Sequence, residues 1–423
     1  MRFARAESAR GRVGWWFTAA ALLVVLVLLG LHLTRADDTY RVPSGADRST
    51  QAGEQPRRAD ALRVVAELRA ALRSGDAPRA QALAVPGSAA EGTLAAMART
   101  ARAAQLDRIT LRYLDDDGVA SDEGEWKATV AVGWRYRGFD RAPANTETAL
   151  TFAPRTDGSI GVAAVGADDV RVPVWMSGPL RVRRTDEVLL LVSGGADEVT
   201  RYEGLADEAV VTVVRVVEGW DPRLVVEVPA DRAGLERALD ARPDDYEQIA
   251  AVTTSDDGTT TQTSSAHVLV NPEVMDPLGP VAQQVVVSHE AAHVALDGPT
   301  SQAPTWLVEG IADYVALRDS TLPLSRTAAQ VAARVAADGL PDALPTQADF
   351  DTAAPHLGAA YEGAWLLCTV LADRLGEDEL LELYVRASDG VSVARLLRGA
   401  GWSADGLLDR WRTELGQLAE TVS

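Results

Sequence analysis

Two histidines four residues apart, in His289-Glu290-Ala291-Ala292-His293, constrain this chain more than any other feature. On a helix that spacing sends both imidazoles from one face, a turn apart. Two neutral imidazoles so placed grip a divalent metal, and Glu290 beside them is able to take a proton from a water there. Zinc takes four ligands, of which a catalytic site supplies three and leaves one position open. After a gap of twelve residues comes Trp306-Leu307-Val308-Glu309-Gly310-Ile311-Ala312-Asp313-Tyr314. Glu309 is the candidate third ligand. Asp313, one turn along the same helix face, is placed to accept the remaining N–H of a ligating histidine and fix its tautomer.

The five-residue pattern also occurs by chance on ordinary exposed helices, and its polar residues are sometimes satisfied within a core. Here Val281, Val285 and Val286 precede it, and Ala292, Val294 and Leu296 surround its second half. That predicts an apolar, buried helix, on which two histidines and a glutamate without a metal would be costly. Bound Zn2+ is the expectation.

Together the two segments resemble the gluzincin metallopeptidases. Trp306-Leu307-x-Glu309-Gly310-x-Ala312 is similar to the third-ligand helix of the aminopeptidase N and leukotriene-hydrolase type. The shorter gap is closer to the bacterial membrane-anchored proteins called peptidase MA-like. The resemblance covers roughly residues 195 to 420 and implies His289, His293 and Glu309 as zinc ligands, with Glu290 as general base. Ala360-Tyr361-Glu362-Gly363-Ala364-Trp365-Leu366-Leu367 resembles the stretch that carries an oxyanion-stabilising tyrosine, which implies that role for Tyr361. The glycine follows Tyr361 by two residues, where the family has three. The plainer reading of Tyr361 is an aromatic packed at a helix start. The aminopeptidase segment Gly-Ala-Met-Glu-Asn is missing. The strand in its place reads Ser265-Ala266-His267-Val268-Leu269-Val270-Asn271-Pro272. The resemblance therefore implies a peptide or protein substrate, cut internally or with another specificity; the Ala266 to Val270 strand is a candidate for pairing with it, though an ordinary inner strand is the plainer reading.

At 423 residues the chain exceeds one ordinary domain, and 47% hydrophobic residues suffice for a folded core. A net charge of −20 excludes a general affinity for nucleic acid or anionic lipid. Lys127 is the only lysine among 41 basic residues, as expected of GC-rich bacterial coding. Cys368 is the only cysteine, which excludes an intrachain disulfide, and its apolar surroundings predict a buried thiol.

Trp15 to Leu33 is a nineteen-residue run without Asp, Glu, Lys or Arg, preceded by Arg2, Arg5, Arg10 and Arg12. It predicts a single membrane helix with a cytoplasmic amino terminus and the remainder outside the cytoplasm. Thr34-Arg35-Ala36 is a poor cleavage site, so retention is expected over a cleaved signal peptide. The predicted organisation is residues 1–36 as tail and anchor, 37–57 as polar linker, 58–180 as a small α+β domain and 181–423 as the metallopeptidase-like domain. Helices at Asp60 to Arg73 and Glu91 to Leu106 precede strands near Ile109 to Tyr113, Trp126 to Tyr136, Glu147 to Phe152, Ile160 to Val165 and Val188 to Val192. In Trp126-Ala128-Val130-Val132-Trp134-Tyr136 every even position is apolar. Helices followed by such a sheet are similar to the cone-shaped nuclear transport factor type.

Beyond Gly195 a helix at Leu205 to Val217 and one at Ala233 to Leu239 alternate with strands at Leu224 to Val228, Ile249 to Thr253 and Ala266 to Val270. Asp256-Asp257-Gly258 reads as a turn and Thr259 to Thr263 as polar loop. After Pro280 the pattern is helical, closing with Leu407, Leu408, Trp411 and Leu415 on one face. The fold class is α+β throughout, a small sheet followed by a helical half. His267, on a strand, and His356, in a loop before Tyr361, lie outside ligand spacing.

Two functions fit. One is a membrane-anchored extracytoplasmic zinc endopeptidase; the other is a non-catalytic zinc-containing surface protein that keeps the fold for binding. Glu290 favours the first, because a binding protein has no use for a base beside the metal. The sequence assigns no substrate specificity and no oligomeric state.

Overall fold

The computed structural model describes residues 45–423, apart from 119, 168–169, 256–257, 259–264, 352–353 and 423. The run Trp15 to Leu33 and most of the 256–263 turn and loop lie outside the described residues. Among the described residues no helix is long and apolar enough to cross a membrane. Residues 57–423 form one compact unit, apart from 1–56.

The first layer is helical. α1 (Gly45–Ser74) begins within the stretch read as linker, and Gly75 in the left-handed region ends it. α2 (Ala90–Ala103) follows. Four antiparallel strands come next, β1 (Leu106–Asp116), β2 (Trp126–Tyr136), β3 (Ala144–Pro154) and β4 (Ile160–Val165), paired in sequence order. The alternation in β2 holds: Trp126, Ala128, Val130, Val132, Trp134 and Tyr136 are all buried, with Lys127 exposed between. They form one core with Val64, Val65, Leu68 and Leu72 of α1 and Leu94 and Met97 of α2.

The second sheet is mixed. Its strands are β5 (Arg181–Arg184), β6 (Val188–Val192), β7 (Leu224–Val228), β8 (Ala251–Ser255) and β9 (Ala266–Val270), in the order β5-β6-β7-β9-β8. β6, β7 and β9 run parallel, and β8 returns antiparallel. β6 is apolar at every position because both its faces are covered. Leu189 and Leu191 join the core of the first sheet, while Val188, Leu190 and Val192 meet α3 (Ala196–Val214). The expected helix at Leu205 to Val217 therefore starts nine residues earlier, after Gly195.

This order decides between the two readings of Ala266 to Val270 in favour of an inner strand. β9 lies between β7 and β8, so both its edges are already paired and no peptide can join it. The edge strands of the sheet are β5 and β8, and β8 is the one beside the helix that carries His289 and His293. Val252 of β8 packs beside α4 (Arg232–Leu239), whereas Ala251 faces the opposite layer with Val287 and Ala291.

That opposite layer is α5 (Pro280–Ala295), and the chain is largely helical from there on. α6 (Thr305–Leu317), α7 (Ala329–Asp338), α8 (Leu357–Leu375), α9 (Glu377–Ser388), α10 (Val393–Gly399) and α11 (Ala404–Val422) share a core that includes Cys368, Leu407, Trp411 and Leu415. Pro280 opens α5 at its first turn, where a missing N–H costs nothing. The burial of α5 differs in detail from expectation: Val281 is 57% exposed, and the buried stripe is Val287, Ser288, Ala291 and Ala292.

Candidate metal centre

His289 and His293 leave the buried half of α5 and point at α6, their rings 4.6 Å apart and nearly perpendicular. Glu309 comes from α6. Its Oε2 lies 3.3 Å from His289 Nε2 and 3.2 Å from His293 Nε2, and the two Nε2 atoms are 3.0 Å apart. A cation about 2.0–2.2 Å from three donors in tetrahedral geometry requires donors roughly 3.3 Å from each other. The observed triangle fits. Two imidazole nitrogens face one another across 3.0 Å, and a single proton cannot satisfy both with the carboxylate. Among the described residues this is the only group of three or more such side chains able to share one ion.

Asp313 occupies the position its spacing predicts. Its Oδ1 is 2.7 Å from His289 Nδ1, which turns His289 Nε2 inward to the triangle. Burial opposes a charge on His289, but Asp313, Glu309 and Glu290 outweigh it and hold the imidazole well above its ordinary value. Burial likewise opposes ionisation of Glu309, and the two imidazoles overcome it, keeping that carboxyl well below the usual carboxylate range. Three carboxylates around two imidazoles leave an excess of negative charge, the donor chemistry a divalent cation balances.

Close packing fixes both helices. A Cβ at Gly310 would collide with the carbonyl of Ala364 on α8, so glycine after Glu309 lets α6 approach the backbone of α8. A Cβ at Gly298 would stand 2.7 Å from His293 Nδ1, so this glycine forms the wall against which the second imidazole rests.

Glu290 is 7% exposed and near enough for its charge to act on His289 and Tyr361. Its Oε2 accepts a hydrogen bond of 2.6 Å from the hydroxyl of Thr253 on β8, a contact the sequence did not suggest. The same hydroxyl is 3.0 Å from the Glu290 backbone oxygen. A threonine in a Thr-Thr-Ser strand carries no signal of such a role.

Tyr361, in the second turn of α8, lies 5.9 Å from the His289 ring and edge-on to Phe350 at 5.4 Å. Burial and the carboxylates of Glu309, Glu290 and Asp313 push its hydroxyl well above its ordinary value, so it stays a proton donor. His356 is exposed at the start of α8 and joins no ligand group. His267 is buried elsewhere, with Nε2 2.9 Å from Asp140 Oδ1 and Nδ1 3.3 Å from Glu227 Oε1. The Tyr136 hydroxyl donates to Glu227 at 3.1 Å, and Asp140 accepts from the Tyr136 backbone N–H. This network ties the turn after β2 to β7 and β9.

No curated protein matches the chain. A family model described as BSP, peptidase of plants and bacteria, matches residues 223–334. The matched stretch runs from the start of β7 into α7 and ends before Tyr361. The segment that brings His289, Glu290, His293, Glu309 and Asp313 together is thus the segment similar to a peptidase family, whose members are hydrolases.

Proposed function

We propose that this chain is a zinc endopeptidase of gluzincin type, held at the cell membrane by the apolar run Trp15 to Leu33 with its carboxy-terminal domain outside the cytoplasm. The observation that carries the reading is the convergence of His289, His293 and Glu309 on one point with the Glu290 carboxylate alongside. The peptidase family match over the same residues supports it, and the order of β8 and β9 adds an edge strand beside the base.

His289, His293 and Glu309 hold the ion, and Asp313 holds the tautomer of His289. The ion supplies Lewis acidity, which makes water more acidic and polarises a carbonyl. Glu290 accepts one proton from the attacking water as its oxygen bonds to the carbonyl carbon. The same proton passes to the amine nitrogen as the C–N bond breaks. Tyr361, still protonated, donates to the oxyanion. An extended peptide pairs with the free edge of β8, which suits an internal stretch of chain. The four-stranded module built on β1 to β4, of nuclear transport factor type, serves as spacer or recognition element.

The test is cleavage of a peptide pool by the purified full-length chain with zinc. Cleavage at internal bonds, unchanged when substrate amino termini are acetylated, is expected. Release of single amino-terminal residues that stops on acetylation contradicts the endopeptidase assignment.

A further inference from the structure

We infer that Thr253 is a positioning residue for the reaction, holding the Glu290 carboxylate in the orientation from which it accepts the proton. The inference rests on Glu290 being the general base.

The geometry is specific. At 2.6 Å, the Thr253 Oγ1 to Glu290 Oε2 distance falls in the range of a hydroxyl donating to an ionised carboxylate, about 2.5–2.7 Å. The hydroxyl has one proton and two acceptors within reach, Oε2 and the Glu290 backbone oxygen at 3.0 Å. Were the proton given wholly to the backbone, two oxygens would face each other at 2.6 Å without a hydrogen between them, so the carboxylate takes it. One oxygen of Glu290 is thereby held, and the other stays available for water.

Thr253 is itself held by the sheet. Its Cα pairs with Val268 within an unbroken five-pair ladder from Ala251↔Val270 to Ser255↔Ala266. Ala251, two residues before it, packs with Val287 and Ala291 of α5, and this fixes the face that Thr253 presents. Branching at Cβ narrows its rotamer choice further. Without this partner Glu290 keeps several rotamers, and misplacing a reacting group by about 1 Å costs on the order of 100-fold in rate. Because β8 is also an edge strand, one side chain links a strand available to substrate with the base.

The experiment compares kcat and KM of the full-length zinc-loaded protein and its Thr253 and Glu290 variants on an internally quenched peptide that the parent cleaves. Thr253→Val should keep the metal and KM while kcat falls by roughly 10- to 100-fold. Thr253→Ser should restore most of kcat, because the hydroxyl rather than the branch matters. Adding Thr253→Val to Glu290→Gln should cost little more than Glu290→Gln alone, since both act through one carboxylate. Where valine disturbs the strand, Thr253→Ala reads the same loss and rescue by serine remains decisive. Parent-level kcat in Thr253→Val, or equal losses in the valine and serine variants, overturns the inference while Glu290→Gln stays inactive. Full activity in Glu290→Gln overturns the general-base reading and Thr253's role with it.

Discussion

Asp313 Oδ1 lies 2.7 Å from His289 Nδ1, one helical turn beyond Glu309 on the same helix, so α6 grips both nitrogens of a single imidazole. Glu309 meets Nε2 and Asp313 meets Nδ1. Replacing Asp313 by alanine frees the ring and removes a carboxylate that raises its basicity. Metal affinity should fall by about 10- to 100-fold without loss of the site. Chelator competition measures this, and an unchanged affinity reduces Asp313 to a structural partner.

Gly298 closes the opposite side of the site. In Gly298→Ala the new Cβ would lie 2.7 Å from His293 Nδ1, inside contact distance, and the ring must turn away. Zinc affinity should drop by at least about 10-fold, the size of effect seen when ligand orientation is lost. Parent affinity in titrations against a zinc indicator shows that the ring has room to adjust.

The convergence of His289, His293 and Glu309 and the contact of Asp313 with His289 were legible because helix periodicity converts sequence spacing into spatial direction. These side chains sit within 25 residues of each other, His289 to Asp313, and need only two helices to pack. Sheet order is different in kind. The Ala266 to Val270 run read as an inner strand or one open to substrate, and what makes it inner is β8, a segment whose Val-Thr-Thr-Ser has no distinguishing pattern. Local alternation specifies a strand and its faces, not its neighbours. Thr253 was hidden for the same reason, since its bond to Glu290 crosses 37 residues. Gly310 was readable as part of a motif, but its reason, the approach of α8, was not.

The His267 network predicts a pH dependence. His267 is 2% exposed, and burial alone would lower its basicity. Asp140 and Glu227 more than reverse this, raising it well above the ordinary 6.5. A histidine raised on folding contributes stability fully present below its unfolded value, and that stability is lost as pH rises through the folded value. The parent should therefore lose melting temperature relative to His267→Gln on going from about pH 6 into the alkaline range. At about pH 6 the variant should be less stable by about 3 kcal/mol, because two carboxylates lose their buried partner. Parallel melting curves for parent and variant across that range contradict the assignment of a buried imidazolium.

The central claim is that a metal held by His289, His293 and Glu309 works with Glu290 as base to hydrolyse peptides. Its most direct measurement is zinc stoichiometry together with cleavage rate in Glu290→Gln beside the parent. The account predicts about one zinc per chain in both proteins and a rate lower in the variant by on the order of 10²–10⁴. A Glu290→Gln protein that keeps its zinc and cleaves at the parent's rate would contradict it.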